Sequence, residues 1–184
     1  MTRRGIAFGL MVGLTTAAAA TPSAAGAAGT AKATCAHQSG AEFSAGPDDL
    51  VVGPMRFVGL RNIADTDAAN LVQHGGWKSP AVLRAGHVAT VSVDRPARST
   101  VRLDYGHATD DAFAALPHTV RFVACSRGRS LSTLDGKPVT FWSGFFRTRS
   151  TTPVPGCLPL TIRIDGGPPR HRRLPVAGGS CTPE

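Results

Sequence analysis

A period of two runs through this chain and restricts it more than any other feature. Val101, Leu103 and Tyr105 alternate with Arg102 and Asp104; Ala89, Val91 and Val93 alternate with Thr90, Ser92 and Asp94; Leu160, Ile162 and Ile164 alternate with Thr161, Arg163 and Asp165. In an extended chain successive side chains leave on opposite faces, so each run has one dry face and one wet face, whereas a helical turn of 3.6 residues would mix the two. The pattern predicts strands near Leu50 to Leu60, Ala81 to Leu83, Val88 to Asp94, Thr100 to Tyr105, Thr119 to Cys125, Thr140 to Thr148, Leu158 to Asp165 and His171 to Val176. Turn residues separate them, notably Asp94 to Ser99, Asp135-Gly136 and Gly166-Gly167-Pro168-Pro169. Seven or eight antiparallel strands of this kind close over their dry faces as two packed sheets, an all-β sandwich. Pro54 marks an edge or a bulge in the first run, because proline has no N–H for a ladder, and Gly144 marks a second such position. One short helix is expected from Asp65 to Gln73, capped by Asp65 or Thr66 and stopped at Gly75.

Ahead of the strands lies a segment of another kind. Arg3 and Arg4 give a positive start, Ile6 to Ala20 is uncharged and mostly apolar, and small residues follow as far as Ala33. That order is the order of a secretory signal. Its apolar part decays into alanine after roughly fifteen residues, short of the roughly twenty that cross a bilayer core. The chain is therefore expected to carry a cleavable signal helix over residues 1–27, cut after Ala27 or, as a later alternative, after Ala33. A flexible lead-in over 28–47, poor in side chains to bury, precedes one sandwich domain over 48–184. No membrane span is expected after processing, and the lysine, alanine and threonine before Cys35 do not form a lipid-attachment box.

Cys35, Cys125, Cys157 and Cys181 all follow the expected cut. An even count in an oxidising compartment reads as two disulfides. Four cysteines permit three connectivities, of which Cys125 with Cys157 and Cys35 with Cys181 is the expectation, the second bridge tying the chain ends together. A zinc site would need clustered thiolates and histidines, and only Cys35 and His37 lie close in sequence.

Several short segments in this order, Gly53-Pro54-Met55-Arg56-Phe57-Val58-Gly59, Lys78-Ser79-Pro80, Thr119 to Cys125, Phe141 to Phe146 and Cys157 to Gly166, resemble a group of small secreted actinobacterial proteins of unassigned function. The resemblance covers Gly53 to about Val176. It implies export and an immunoglobulin-like sandwich, and brings no catalytic residues with it.

Three constellations offer chemistry. The densest aromatic stretch, Phe141-Trp142-Ser143-Gly144-Phe145-Phe146, places Phe141, Ser143 and Phe145 on one face and Trp142, Gly144 and Phe146 on the other. One face is expected to be partly open, as a strand covered by a loop or as an aromatic platform for a sugar or lipid, with Trp142, Phe146, Arg147 and Arg149 as the candidate binding residues. If three consecutive strands form a meander, His87, His107 and His118 fall at one end beside Asp110 and Asp111. That is a candidate metal or pH-responsive end and the basis of an alternative reading as a small extracellular hydrolase or metal-binding protein. Arg102, Arg121 and Arg163, with Arg170-His171-Arg172-Arg173, form a candidate phosphate-contacting stripe. The formal charge is +8, and about +6 once Arg3 and Arg4 leave. Such a balance favours acidic surroundings, so the expected partner is an acidic envelope polymer, an anionic lipid surface or another protein. Nucleic acid is not expected, since no recognition helix, finger spacing or basic region is present. Nor is there a nucleophile elbow, a phosphate loop, a metalloprotease helix or a carboxylate pair. No catalytic residue and no cofactor are assigned, and the sequence reads as a non-enzymatic binding or structural module outside the cytoplasm or in the cell envelope.

Overall fold

The structure, a computed structural model, describes residues 30–106, 112–149 and 153–181. The expected signal lies outside the described residues. Among the described residues fourteen short strands follow one another: β1 (Ala31–Ala33), β2 (Glu42–Phe43), β3 (Leu50–Val52), β4 (Met55–Phe57), β5 (Gly76–Lys78), β6 (Ala81–Arg84), β7 (Val88–Val93), β8 (Val101–Tyr105), β9 (Thr119–Val123), β10 (Ser132–Leu134), β11 (Lys137–Trp142), β12 (Gly144–Thr148), β13 (Cys157–Ile164) and β14 (Arg170–Pro175). Helix α1 (Ala68–Gln73) lies between β4 and β5. Its cap is Asp67, one residue beyond the expected Thr66, whose carboxylate accepts from the Ala69 amide, and the chain turns out of it at Gly75 with φ of 66°.

Three sheets result, with strand orders β1-β9-β7-β13-β14, β2-β10-β11-β6-β4-β3 and β5-β12-β8. The fold is all-β and sandwich-like, with more and shorter strands than the seven or eight predicted. Two of the predicted runs divide. Gly53-Pro54 is the turn of a tight hairpin, Val52 facing Met55, so the first run becomes β3 and β4. The run Thr140 to Thr148 breaks at Ser143, and the chain passes from the six-stranded sheet into the three-stranded one as β11 gives way to β12. Pairing is also not antiparallel throughout. β1 runs parallel to β9 and β2 parallel to β10. Both belong to the segment read as a lead-in; a short edge strand needs little more than backbone hydrogen bonds and one buried side chain, here Ala33, to dock.

Each sheet sends rings to a common core. Phe57 from β4, Tyr105 from β8, Phe122 from β9 and Phe146 from β12 meet edge-to-face with centroids 5.2 to 6.3 Å apart, and Trp142 from β11 packs on Phe122 at 5.3 Å. Rings of opposite edge and face charge favour this arrangement over parallel stacking. Their polar ends are satisfied: the Tyr105 hydroxyl donates to the Ser79 carbonyl at 2.6 Å and Trp142 Nε1 donates to the Thr34 carbonyl at 2.9 Å. Burial, helped by the neighbouring Asp104 carboxylate, pushes the Tyr105 phenol well above its ordinary range. Gly144 lets Tyr105 lie flat on the backbone, since a Cβ there would stand 2.2 Å from Tyr105 Cδ1.

The disulfides join Cys35 to Cys125 and Cys157 to Cys181, correcting the expected pairing of Cys125 with Cys157 and Cys35 with Cys181. The strand directions explain the change. Because β1 and β9 are parallel and Ala33 faces Phe122, the residues just past both strands emerge side by side, and the Cys35 and Cys125 Cα atoms stand 4.9 Å apart. Because β14 runs back along β13 until Pro175 faces Cys157, the following turn returns Cys181 to within 5.1 Å of Cys157.

Candidate binding surface

The segment from Phe141 to Phe146, although divided between β11 and β12, keeps the predicted division of faces, and the face of Phe141, Ser143 and Phe145 is the open one. Trp142 and Phe146 are fully buried. They are core residues and form no platform. Phe141 packs on Phe43 with centroids 4.7 Å apart, covered by the chain that leads into β2. Phe145 is the ring at the surface. Arg147 Cζ lies 4.8 Å from its centroid while Nε donates to the buried Asp104 carboxylate at 2.9 Å. One cleft lined by His37 and Asp104 and another lined by His74, Trp77 and Lys78 flank it. Arg149 sits elsewhere, with Cζ 5.4 Å from the Phe113 ring.

The three candidate metal histidines are not gathered by the described residues. β9 pairs directly and antiparallel with β7, and β8 belongs to another sheet. His87 therefore lies beside Ala124 at one end of the pair, and His118 lies beside Val93 at the other. Six residues of strand at about 3.4 Å each separate these ends by roughly 20 Å. His107, Asp110 and Asp111 lie outside the described residues, among which no group of three metal-ligating side chains occurs. His87 instead pairs through Nδ1 with Asp165 at 2.8 Å. The Val88 amide and then His87 hold the Asp165 carboxyl below its ordinary range.

The arginine stripe is partly assembled. On the outer face of the five-stranded sheet, register places Lys32 of β1 beside Arg121 of β9, Arg121 beside Thr90 of β7, and Thr90 beside Arg163 of β13. Lys32, Arg121 and Arg163 are exposed, and no ion pair involves them among the described residues. Neighbouring strands lie about 4.8 Å apart, so this row crosses roughly 14 Å of the sheet. The adjacent row is hydroxylic. Thr119, Ser92, Thr161 and His171 stand in register, Ser92 bonded to Thr119 at 2.9 Å and Thr161 to both Asp94 and His171. Of the basic tetrad that opens edge strand β14, His171 and Arg173 lie on this face, while Arg170 and Arg172 face the other way. Lys32 has no place in the sequence-derived stripe, because three residues of strand in an alanine-rich segment carry no periodic signal.

Arg102 does not belong to this row. It lies on β8, where Nη1 stands 2.9 Å from His118 Nδ1 and Cζ 5.1 Å from the Phe113 ring. Burial first, and then the cations Arg149 and Arg98, lower the pKa of Arg102. Burial followed by Arg102 and Arg98 does the same to His118. No protein-family model matches the chain, and no curated protein or solved structure shows significant similarity to it.

Proposed function

We propose that this protein is a non-enzymatic binding module of the extracellular space or cell envelope that lays the outer face of its five-stranded sheet on an acidic polymer. The cross-strand row Lys32, Arg121, Thr90 and Arg163 carries the reading. Cations placed one and two strand spacings apart along one sheet face suit a repeating line of anions, and the hydroxyl row beside them supplies neutral donors and acceptors. Two disulfides accord with an oxidising compartment, and among the described residues no helix is long and apolar enough to cross a membrane.

Retention on a sulfated dextran column tests it. Lys32→Glu/Arg121→Glu/Arg163→Glu is expected to elute at clearly lower salt than Arg61→Glu/Arg84→Glu/Arg127→Glu, which changes the net charge equally at exposed sites elsewhere. Equal elution of the two triple variants would show that net charge alone binds the polymer and would remove the sheet face from the account.

A further inference from the structure

We infer that Arg98, Arg102 and Arg149, gathered around Phe113 and His118, form a discrete binding site for a phosphate group, separate from the cationic face of the five-stranded sheet. Four segments bring these residues together. Arg102 lies within β8, Arg98 in the turn before it, Arg149 just past β12, and Phe113 and His118 in the stretch that leads into β9. The Arg149 amide donates to the Thr100 carbonyl at 3.3 Å, which holds the end of β12 against the start of β8. Arg102 and Arg149 both stack on Phe113, with Cζ 5.1 and 5.4 Å from its centroid. A guanidinium on a ring face keeps its N–H edge available to other acceptors. Arg98 is positioned by one bond, from Nε to the Val93 carbonyl at 2.8 Å.

The Arg102–His118 contact defines the protonation of the site. A guanidinium has no acceptor, so at 2.9 Å Nδ1 of His118 must accept, and the imidazole is neutral with its proton on Nε2. The cluster then presents three permanent cations and a neutral ring. Among the described residues none of the three arginines has an ion-pair partner. Arg102 Nε is also enclosed without an acceptor. Burial first, and then the repulsion between these neighbouring cations, lower the pKa values of Arg102 and His118. An arrangement that is unfavourable when empty becomes favourable once an anion enters. A phosphate dianion balances more of the three charges than a carboxylate, and its several oxygens accept from more than one guanidinium. Free phosphate and a phosphate ester share this chemistry.

The His118 ring reports occupancy in the full-length oxidised protein. Its NMR titration is followed at constant ionic strength with chloride, inorganic phosphate or glycerol phosphate. Expected is an imidazole titrating below the ordinary range in chloride and shifting upward, saturably, with phosphate. Stronger binding of glycerol phosphate identifies an ester as the ligand, and stronger binding of inorganic phosphate identifies the free ion. Arg102→Gln should weaken binding by at least about tenfold and exposed Arg149→Gln by about threefold, while Arg163→Gln on the five-stranded sheet leaves it unchanged. The inference is overturned if His118 is indifferent to both phosphates, or if Arg149→Gln binds as the parent does. It is also overturned if binding appears only in Asp110→Asn/Asp111→Asn, for then the chain's own carboxylates fill the cluster. Because Arg163→Gln and polymer retention belong to the other face, failure here leaves the polymer reading standing.

Discussion

Asp49, just ahead of β3, illustrates how much one side chain of this protein organises. It is only 4 % exposed, and its carboxylate accepts from the amides of Gly46 and Gly59 and from Arg56. Burial by itself would raise its pKa, but the two amides and the guanidinium together hold it below the ordinary carboxylate range. Asp49→Asn keeps the shape, removes the charge and strands Arg56, so a loss of about 3 kcal/mol in urea unfolding at neutral pH is expected. The sign with pH follows. A depressed carboxyl contributes stability that is fully present above the unfolded value near 3.9 and disappears as pH falls through the lower folded value. The parent protein should therefore lose stability steeply in acid, and the gap between parent and Asp49→Asn should close there. Gly144→Ala addresses packing. Its methyl would enter the Tyr105 ring, and calorimetry should register a cost of about 3 kcal/mol or more. Neither residue stands out in the sequence: an aspartate before a strand reads as a turn residue, and Gly144 reads only as a bulge.

The longer strands were legible because burial on one face imposes alternation. β7, β8 and β9 fall inside the predicted runs for that reason and β13 starts one residue ahead of its run, at Cys157, with Ala89, Val91 and Val93 all fully buried. β1, β2, β5 and β10 were not, since two or three residues do not make a period and their docking depends on partners far along the chain. The disulfide pairing failed for the same reason. It depends on β1 joining β9, and nothing in Ala31-Lys32-Ala33 announces a strand. The two bridges should also differ in weight. Closing a 90-residue separation constrains the unfolded chain more than closing one of 24. Chain entropy gives about 4.6 kcal/mol for Cys35–Cys125 and about 3.4 kcal/mol for Cys157–Cys181. Paired cysteine-to-serine variants, compared by denaturant unfolding, are expected to fall in that order. A non-reducing peptide map should recover the same two links.

At the scale of the whole molecule, the charge was readable and its distribution was not. Arg121 and Arg163 were recognisable as wet-face residues, but that Thr90 stands between them, that Lys32 extends the line, and that Arg102 sits on another sheet with His118 are consequences of register and topology. The aromatic stretch was read to the correct two faces, but which face the core would claim depended on Phe57, Tyr105 and Phe122 arriving from three sheets. The crosslinks also set how this protein yields to force. Cys35–Cys125 secures β1 at one margin of the five-stranded sheet and Cys157–Cys181 secures β13 and β14 at the other. Pulled from its ends, an oxidised molecule can pay out only the chain between Cys125 and Cys157, about 30 residues or roughly 100 Å of contour. A reduced one releases roughly 500 Å over the span from Thr30 to Cys181. Single-molecule stretching should resolve the two lengths, and because Cys125 and Cys157 anchor β9 and β13 on either side of β7, the oxidised molecule lengthens only when its five-stranded sheet parts between those strands.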